Sequence, residues 1–159
     1  MRIRVLAAGR SRDSTIDALV ARYLARLPWQ VELREIEVRG CDDAAGRRRA
    51  EGDRLLAAVP AGATVVVLDG GGEQVTSEAF AARLEALSAR GRGPLLFVIG
   101  GADGLDPRLV ARADWVLSLG RMIWPHLLVR VMLAEQLFRA ACIIRGHPYH
   151  RGDRAGWRR

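Results

Sequence analysis

The chain has 159 residues, half of them apolar and 27% charged, which suits one globular domain and leaves no room for a second. At this length roughly 70% of the unfolded surface can be buried, so neither a metal nor a disulfide staple is needed. Its wholly apolar runs, such as Val65–Leu68 and Leu95–Ile99, fall far short of the ~20 residues of a membrane helix. Arg4 and Arg10 interrupt the N-terminal stretch where a secretory signal would be unbroken. Cys41 and Cys142 lie too far apart to form a framework. The expectation is a soluble cytoplasmic protein with no membrane partner. All 25 basic residues are arginine, and the absence of lysine excludes a Walker-type phosphate loop and Schiff-base chemistry.

Taken in chain order, strand-like and helix-like segments alternate. Ile3, Val5 and Ala7 alternate with Arg2, Arg4 and Leu6, predicting a strand with one buried face. After Gly9, Asp13 or Ser14 caps a helix in which Ile16, Leu19, Val20, Tyr23, Leu24 and Leu27 keep a 3.6-residue period up to Pro28. Val31–Val38 reads as a strand whose alternation slips near Glu35, predicting a bulge or burial on both sides. Residues 40–53 are weakly specified. Gly46 and Gly52 oppose a helix, and Arg47, Arg48 and Arg49 beside Asp42, Asp43, Glu51 and Asp53 read as a solvated face.

Thr64–Leu68 is a continuous apolar strand, the kind covered on both sides in a parallel sheet, and it runs into Asp69-Gly70-Gly71-Gly72. Ser77 opens a helix with Phe80, Leu84 and Leu87 inward and Gly91 closing it. Leu95–Ile99 repeats the apolar pattern and ends in Gly100-Gly101-Ala102-Asp103-Gly104. Asp106-Pro107 predicts the cap and first position of a short helix through Arg112, and Trp115–Leu119 a last strand. Residues 127–144 are apolar nearly all round, which predicts burial on several sides, partly by a second copy of the chain. Gly146 and Pro148 end that helix. The whole predicts an α/β fold, an open, mostly parallel sheet flanked by helices, with residues 1–151 as one domain and 152–159 as a basic tail.

In such sheets a ligand sits beyond the carboxyl ends of the strands. Three ends stand out: Leu68-Asp69-Gly70, Ile99-Gly100-Gly101, and Leu119 through Pro125. Neither glycine-rich turn matches G-x-G-x-x-G, so a pocket and a pair of tight turns remain equally open. Cys142, His147 and His150 fit no common zinc spacing, and no metal is expected. No G-x-S-x-G elbow is present.

Charge concentrates at one end. Residues 1–120 net +1, whereas residues 121–159 net +6, with eight arginines against Glu135 and Asp153. That asymmetry predicts a polyanionic partner, nucleic acid before membrane; for Arg154–Arg159 alone a solubilising tail is the better reading. His147-Pro148-Tyr149-His150 sits among these arginines with groups that can stack on a base, hydrogen-bond it or move a proton. Alternatively, Tyr149 simply packs and His147 caps helix carbonyls.

Five segments then stand together in order: Phe97-Val98-Ile99-Gly100-Gly101-Ala102-Asp103-Gly104; Leu117-Ser118-Leu119 through Met122; Pro125-His126-Leu127-Leu128-Val129-Arg130; Ala134-Glu135-Gln136-Leu137-Phe138-Arg139-Ala140; and His147-Pro148-Tyr149-His150-Arg151. From about Arg2 to Arg151 the chain closely resembles the RlmH (YbeA-type) group of SPOUT methyltransferases. The resemblance implies S-adenosylmethionine-dependent methylation of N3 of a pseudouridine in large-subunit (23S) ribosomal RNA, on the assembled ribosome. It also implies a homodimer with a C-terminal trefoil knot holding the cofactor. That site is carried onto Leu68, Gly100, Gly101, Leu119, Gly120, Arg121, Met122, Ile123, Trp124 and Pro125, with Leu68, Leu119, Met122 and Ile123 as walls. His150 or Tyr149 is expected to contact the base, with His150 the better proton acceptor, and Arg151 to orient it. Arg130, Arg139, Arg145 and Arg154 are expected to hold RNA, and His126 to shape the start of the last helix.

The family more often has hydroxyl residues where Gly120 and Ile123 stand, and seldom tryptophan at Trp124. A non-catalytic RNA-binding protein of the same fold, a methyltransferase of another RNA, and a nucleotide-binding α/β enzyme stand as alternatives.

Overall fold

A computed structural model describes residues 1–41, 43–91 and 93–149. Strands β1 (Arg2–Ala8), β2 (Gln30–Ile36), β3 (Thr64–Gln74), β4 (Leu95–Ile99) and β5 (Trp115–Ser118) form one parallel sheet in the order β2-β1-β4-β3-β5. Helices α1 (Ser14–Leu24), α2 (Ala44–Ala57), α3 (Ser77–Arg90), α4 (Pro107–Arg112) and α5 (His126–Ile144) flank it. The connections through α1 and α3 step toward the β2 edge, while those through α2 and α4 step away. A single handedness of crossover therefore puts the two pairs on opposite faces. Phe80, Leu84, Leu133 and Leu137 cover one face; Leu55 and Leu109 cover the other.

The middle of the sheet follows the sequence pattern. Val65, Val66 and Val67 of β3 and Leu96, Phe97 and Val98 of β4 have no accessible surface. β1 departs from the one-face expectation, because it lies between two strands with helices above and below. Ile3, Val5 and Ala7 face α3 and α5, while Leu6 and Ala8 join the core under α2 and α4. β2 carries no bulge: it pairs with β1 without a break, from Arg2 opposite Gln30 to Ala8 opposite Ile36. The irregularity at Glu35 is chemical, since its Oε1 accepts from the Ser11 N–H at 2.8 Å and from Arg130.

Asp13 caps α1, its Oδ1 accepting from the backbone of Thr15 and Ile16. The helix ends at Leu24 rather than at Pro28, and three residues continue it in tighter turns, Arg26 N to Tyr23 O and Leu27 N to Leu24 O. α2 replaces the expected solvated stretch. Asp43 caps it, and Gly52 is required, because a Cβ there would lie 2.5 Å from the Cβ of Asp106. β3 does not stop at Leu68. Leu117 of β5 pairs with both Leu68 and Glu73, so Asp69–Gly72 loop out of the ladder and the strand resumes. Gly72 passes so close to β5 that a Cβ would meet the Val116 carbonyl at 2.7 Å.

α5 ends at Gly146 (φ +65°), with His147 N bonded to Cys142 O and Gly146 N to Ile143 O, a reversal that only glycine adopts freely. Among the described residues no helix is long and apolar enough to cross a membrane.

Candidate functional site

The break in β3 after Leu68 and the carboxyl ends of β4 and β5 converge on a cavity of about 350 Å³. β3 contributes Leu68, Asp69 and Gly70, and the turn after β4 contributes Gly100, Gly101, Ala102, Gly104 and Leu105. Beyond β5, Leu119 through Trp124 complete the ring, with His126 and Val129 from α5. Glycine leaves this ring room for its neighbours and, at Gly120, a left-handed backbone. A Cβ at Gly100 would lie 2.8 Å from the Leu105 side chain, one at Gly101 would lie 2.6 Å from Glu51 Oε2, and Gly120 has φ +121°.

Nine of the ten residues expected to hold a cofactor line this one space: Leu68, Gly100, Gly101, Leu119, Gly120, Arg121, Met122, Ile123 and Trp124. Pro125 does not line it; it occupies the cap position of α5. Met122 and Ile123 are 70% and 98% exposed, so they form a lip rather than the expected walls. Leu68 and Leu119 line it as expected, and Ile99, Leu105 and Leu117 complete the walls. The indole Nε1 of Trp124 is buried with no hydrogen-bond partner.

Three lining residues carry titratable or charged groups: Asp69, Arg121 and His126. Burial, and then the Arg130 charge, hold the His126 pKa below its ordinary value, so the imidazole is neutral around pH 7. Its Nε2 lies 3.5 Å from where a Cβ on Gly9 would be, so the ring packs against the turn after β1.

Sequence reasoning missed the support behind the β4 turn. Arg47 of α2 donates through Nε to Asp103 Oδ2, and Glu51, one helical turn on and 8% exposed, fills the side-chain space at Gly101. The Arg47 hydrogen bond lowers the Asp103 pKa, whereas burial and then the Asp103 charge raise that of Glu51. The signal was there in the spacing of Arg47 and Glu51 on one helical face with Gly52 beside them, obscured by the run of charge.

Tyr149 lies elsewhere on the same chain. Tyr149 donates its hydroxyl to Glu135 Oε1 at 3.2 Å and sets its ring edge-on to Phe138 at 4.7 Å, while Arg26 stacks over Phe138 at 4.0 Å. Burial and then Glu135 raise the Tyr149 pKa, so it keeps its proton. Tyr149 thus sits on the face of α1 and α5 and does not line the cavity. A second cavity of about 510 Å³ opens on that face between α1, α3 and α5 and shares Leu117, Leu119 and Gly120 with the first.

Of the arginines expected to meet RNA, Arg130 needs correction. It is 3% exposed, and its guanidinium bonds Glu35 and the carbonyls of Ala8 and Gly9, tying α5 to the β1–β2 edge. Arg139 is held by Glu135, and Arg145 is exposed at the end of α5. His150, Arg151, Arg154 and the tail 152–159 lie outside the described residues. Among the described residues, no group of three or more His, Cys, Asp or Glu side chains could hold a metal.

A family described as "Predicted SPOUT methyltransferase" matches residues 1–150. Ribosomal RNA large subunit methyltransferase H of Rhodospirillum centenum is 48% identical over 151 residues, spanning 95% of this chain and 99% of that protein. The protein of the same name from Cereibacter sphaeroides is 49% identical over 160 residues, with 95% and 99% covered. A solved structure described as "Structural insights into the 2-OH methylation of C/U34 on tRNA" aligns with a TM-score of 0.50 at 21% identity, covering 92% of this chain and 98% of that one, a likeness of fold.

Proposed function

The chain belongs to the SPOUT methyltransferase family, and from that premise we propose that it methylates N3 of a pseudouridine in large-subunit (23S) ribosomal RNA. In this reading S-adenosylmethionine is the methyl donor, and the protein works as a cytoplasmic homodimer on the assembled ribosome, its C-terminal part threaded as a trefoil knot. The observation that carries the reading is the convergence of Leu68, Gly101 and Gly120–Trp124, far apart in sequence, on one cavity.

The residues present fit such a donor. The cavity has apolar walls from Leu68, Leu117 and Leu119, close backbone at Gly100 and Gly101, and a buried indole N–H at Trp124 with no partner of its own. Such a mixture suits an adenosine group, and the volume lies within the roughly 300–1,000 Å³ of ligand pockets. When bound, S-adenosylmethionine supplies an electrophilic methyl group on a sulfonium.

The chain's own task is to bring the base to it and to accept the N3 proton. Tyr149 is a poor base, because its phenol keeps its proton and is already bonded to Glu135. His150 is left as the acceptor, since an imidazole titrates near neutral pH. Tyr149 does not reach the cavity of its own chain, so the terminus of a second copy presents the base. Leu128 of α5, 39% exposed, belongs to the face that copy would cover. Arg139, Arg145, Arg151 and Arg154 then hold RNA phosphates.

Calorimetry with S-adenosylmethionine, and methylation of ribosomes lacking the modification, test the proposal together. His150→Ala should leave cofactor affinity within about twofold while methylation falls by roughly a hundredfold or more. Unimpaired turnover would remove His150 from the mechanism. An unmodified pseudouridine after reaction with the unaltered protein would overturn the substrate.

A further inference from the structure

We propose that Asp69 is the residue by which the cavity tells the methyl-bearing sulfonium donor from its neutral thioether product. The inference rests on S-adenosylmethionine being the occupant and goes beyond that reading by naming a selectivity and its source.

Asp69 is the only carboxylate among the described residues lining the cavity. It stands where the β3–β5 ladder breaks, one residue past the Leu68–Leu117 pair, so the chain leaves the sheet there and delivers the side chain to the cavity edge. Its Oδ1 accepts the Gly71 N–H at 2.8 Å, which fixes the carboxylate in place. Its Oδ2 receives no hydrogen bond from any described residue and remains available. The other lining groups with ionisable character are Arg121, a cation, and His126. In a chain of net charge +7, this is the group a cationic ligand would find attractive on entering.

Donor and product isolate the effect chemically. S-adenosylhomocysteine has the same adenosine, amino group and carboxylate as S-adenosylmethionine; it lacks the methyl group and, with it, the positive charge on sulfur. Attraction between Asp69 and the sulfonium charge acts on the donor and is lost once the methyl group has gone, so the same residue favours loading and then product release. Positional energies of this kind depend on a partly solvated path, so the effect is moderate.

Calorimetric titration of both ligands into the unaltered protein, Asp69→Asn and Asp69→Glu is the test. Asparagine keeps a carbonyl oxygen for the Gly71 N–H, and thermal unfolding run in parallel verifies that the turn survives. Asp69→Asn should lower the ratio of donor to product affinity about tenfold, with product affinity changed less than about twofold. Asp69→Glu should keep the ratio within about threefold of the original, and added salt should narrow the ratio in the unaltered protein and not in Asp69→Asn. Equal loss for both ligands, or no change for either, would overturn the inference. An unaltered protein that binds neither ligand would defeat the cofactor reading itself, a separate and recognisable result.

Discussion

Beneath α2 and α4 the sheet is sealed by interlocking polar contacts. Asp106 caps α4 and presses into the space Gly52 leaves on α2; Arg108 bridges Asp106 and Asp53; Arg47 holds Asp103. Across the sheet, α1, α3 and α5 leave a 510 Å³ groove, and Leu19 and Leu128 remain partly exposed at 36% and 39%. The apolar core under α1, α3 and α5 is the larger of the two, yet the polar sealing is on the other face, so the contrast lies in the outer surface of the helices. One face is completed inside the chain and steadies the cavity from behind; the other leaves a groove and apolar side chains open.

The largest test of that contrast is Arg130→Ala, at the base of the open face. Removing the buried guanidinium leaves the Ala8 and Gly9 carbonyls without this donor and breaks the bond to Glu35, which keeps the Ser11 N–H, and should cost about 1–3 kcal/mol in urea unfolding. A near-neutral change would mean the open face is not anchored there. Leu128→Arg should sharpen the contrast from the other side. At concentrations where any pair is dissociated it should alter unfolding by less than about 0.5 kcal/mol, while sedimentation shifts to monomer and methylation is lost. A stable pair surviving Leu128→Arg would break the assignment of that face.

The smallest effect concerns the sealed face and acid. Arg108 lowers the Asp106 pKa to about 2, below the unfolded value of about 3.9. A depressed carboxylate contributes stability that is complete above the unfolded pKa and is lost as pH falls through the folded one. Asp106→Asn should therefore lower the unfolding midpoint modestly at pH 7 and flatten its decline between about pH 4 and about pH 2, so that the two proteins converge in acid. An unchanged acid slope would show that Asp106 is not the group responsible.

Much of this architecture is legible in residue order. Continuous apolar runs at Val65–Leu68 and Leu95–Ile99 become central strands, and Asp13 and the Asp106-Pro107 pair mark helix starts where expected. The misreadings share a physical cause: a local pattern overridden by a distant partner. Gly52 reads as a helix breaker until Asp106 fills its space, and Arg130 reads as a surface cation until Glu35 and the β1 carbonyls enclose it. Asp69–Gly72 read as the end of a strand because nothing local shows that β5 will take up pairing again at Glu73. At the site, the glycine turns and the Leu68-Asp69-Gly70 end could be located from sequence, whereas Glu51 was hidden in a run of charge, since its place depends on Gly101 facing it.

The rim of the cavity bears on how the protein could be blocked. Peptide groups do not change when side chains drift, so a compound anchored to the backbone at Gly100 and Gly101 would leave a target few single-residue routes to resistance. Any Cβ added there must displace Leu105 or the Glu51 carboxylate, neither of which stands more than 3 Å from the position it would take. Escape at Gly100 would thus have to shift Leu105, a wall of the same pocket, whereas at Gly101 only the end of the Glu51 side chain need move.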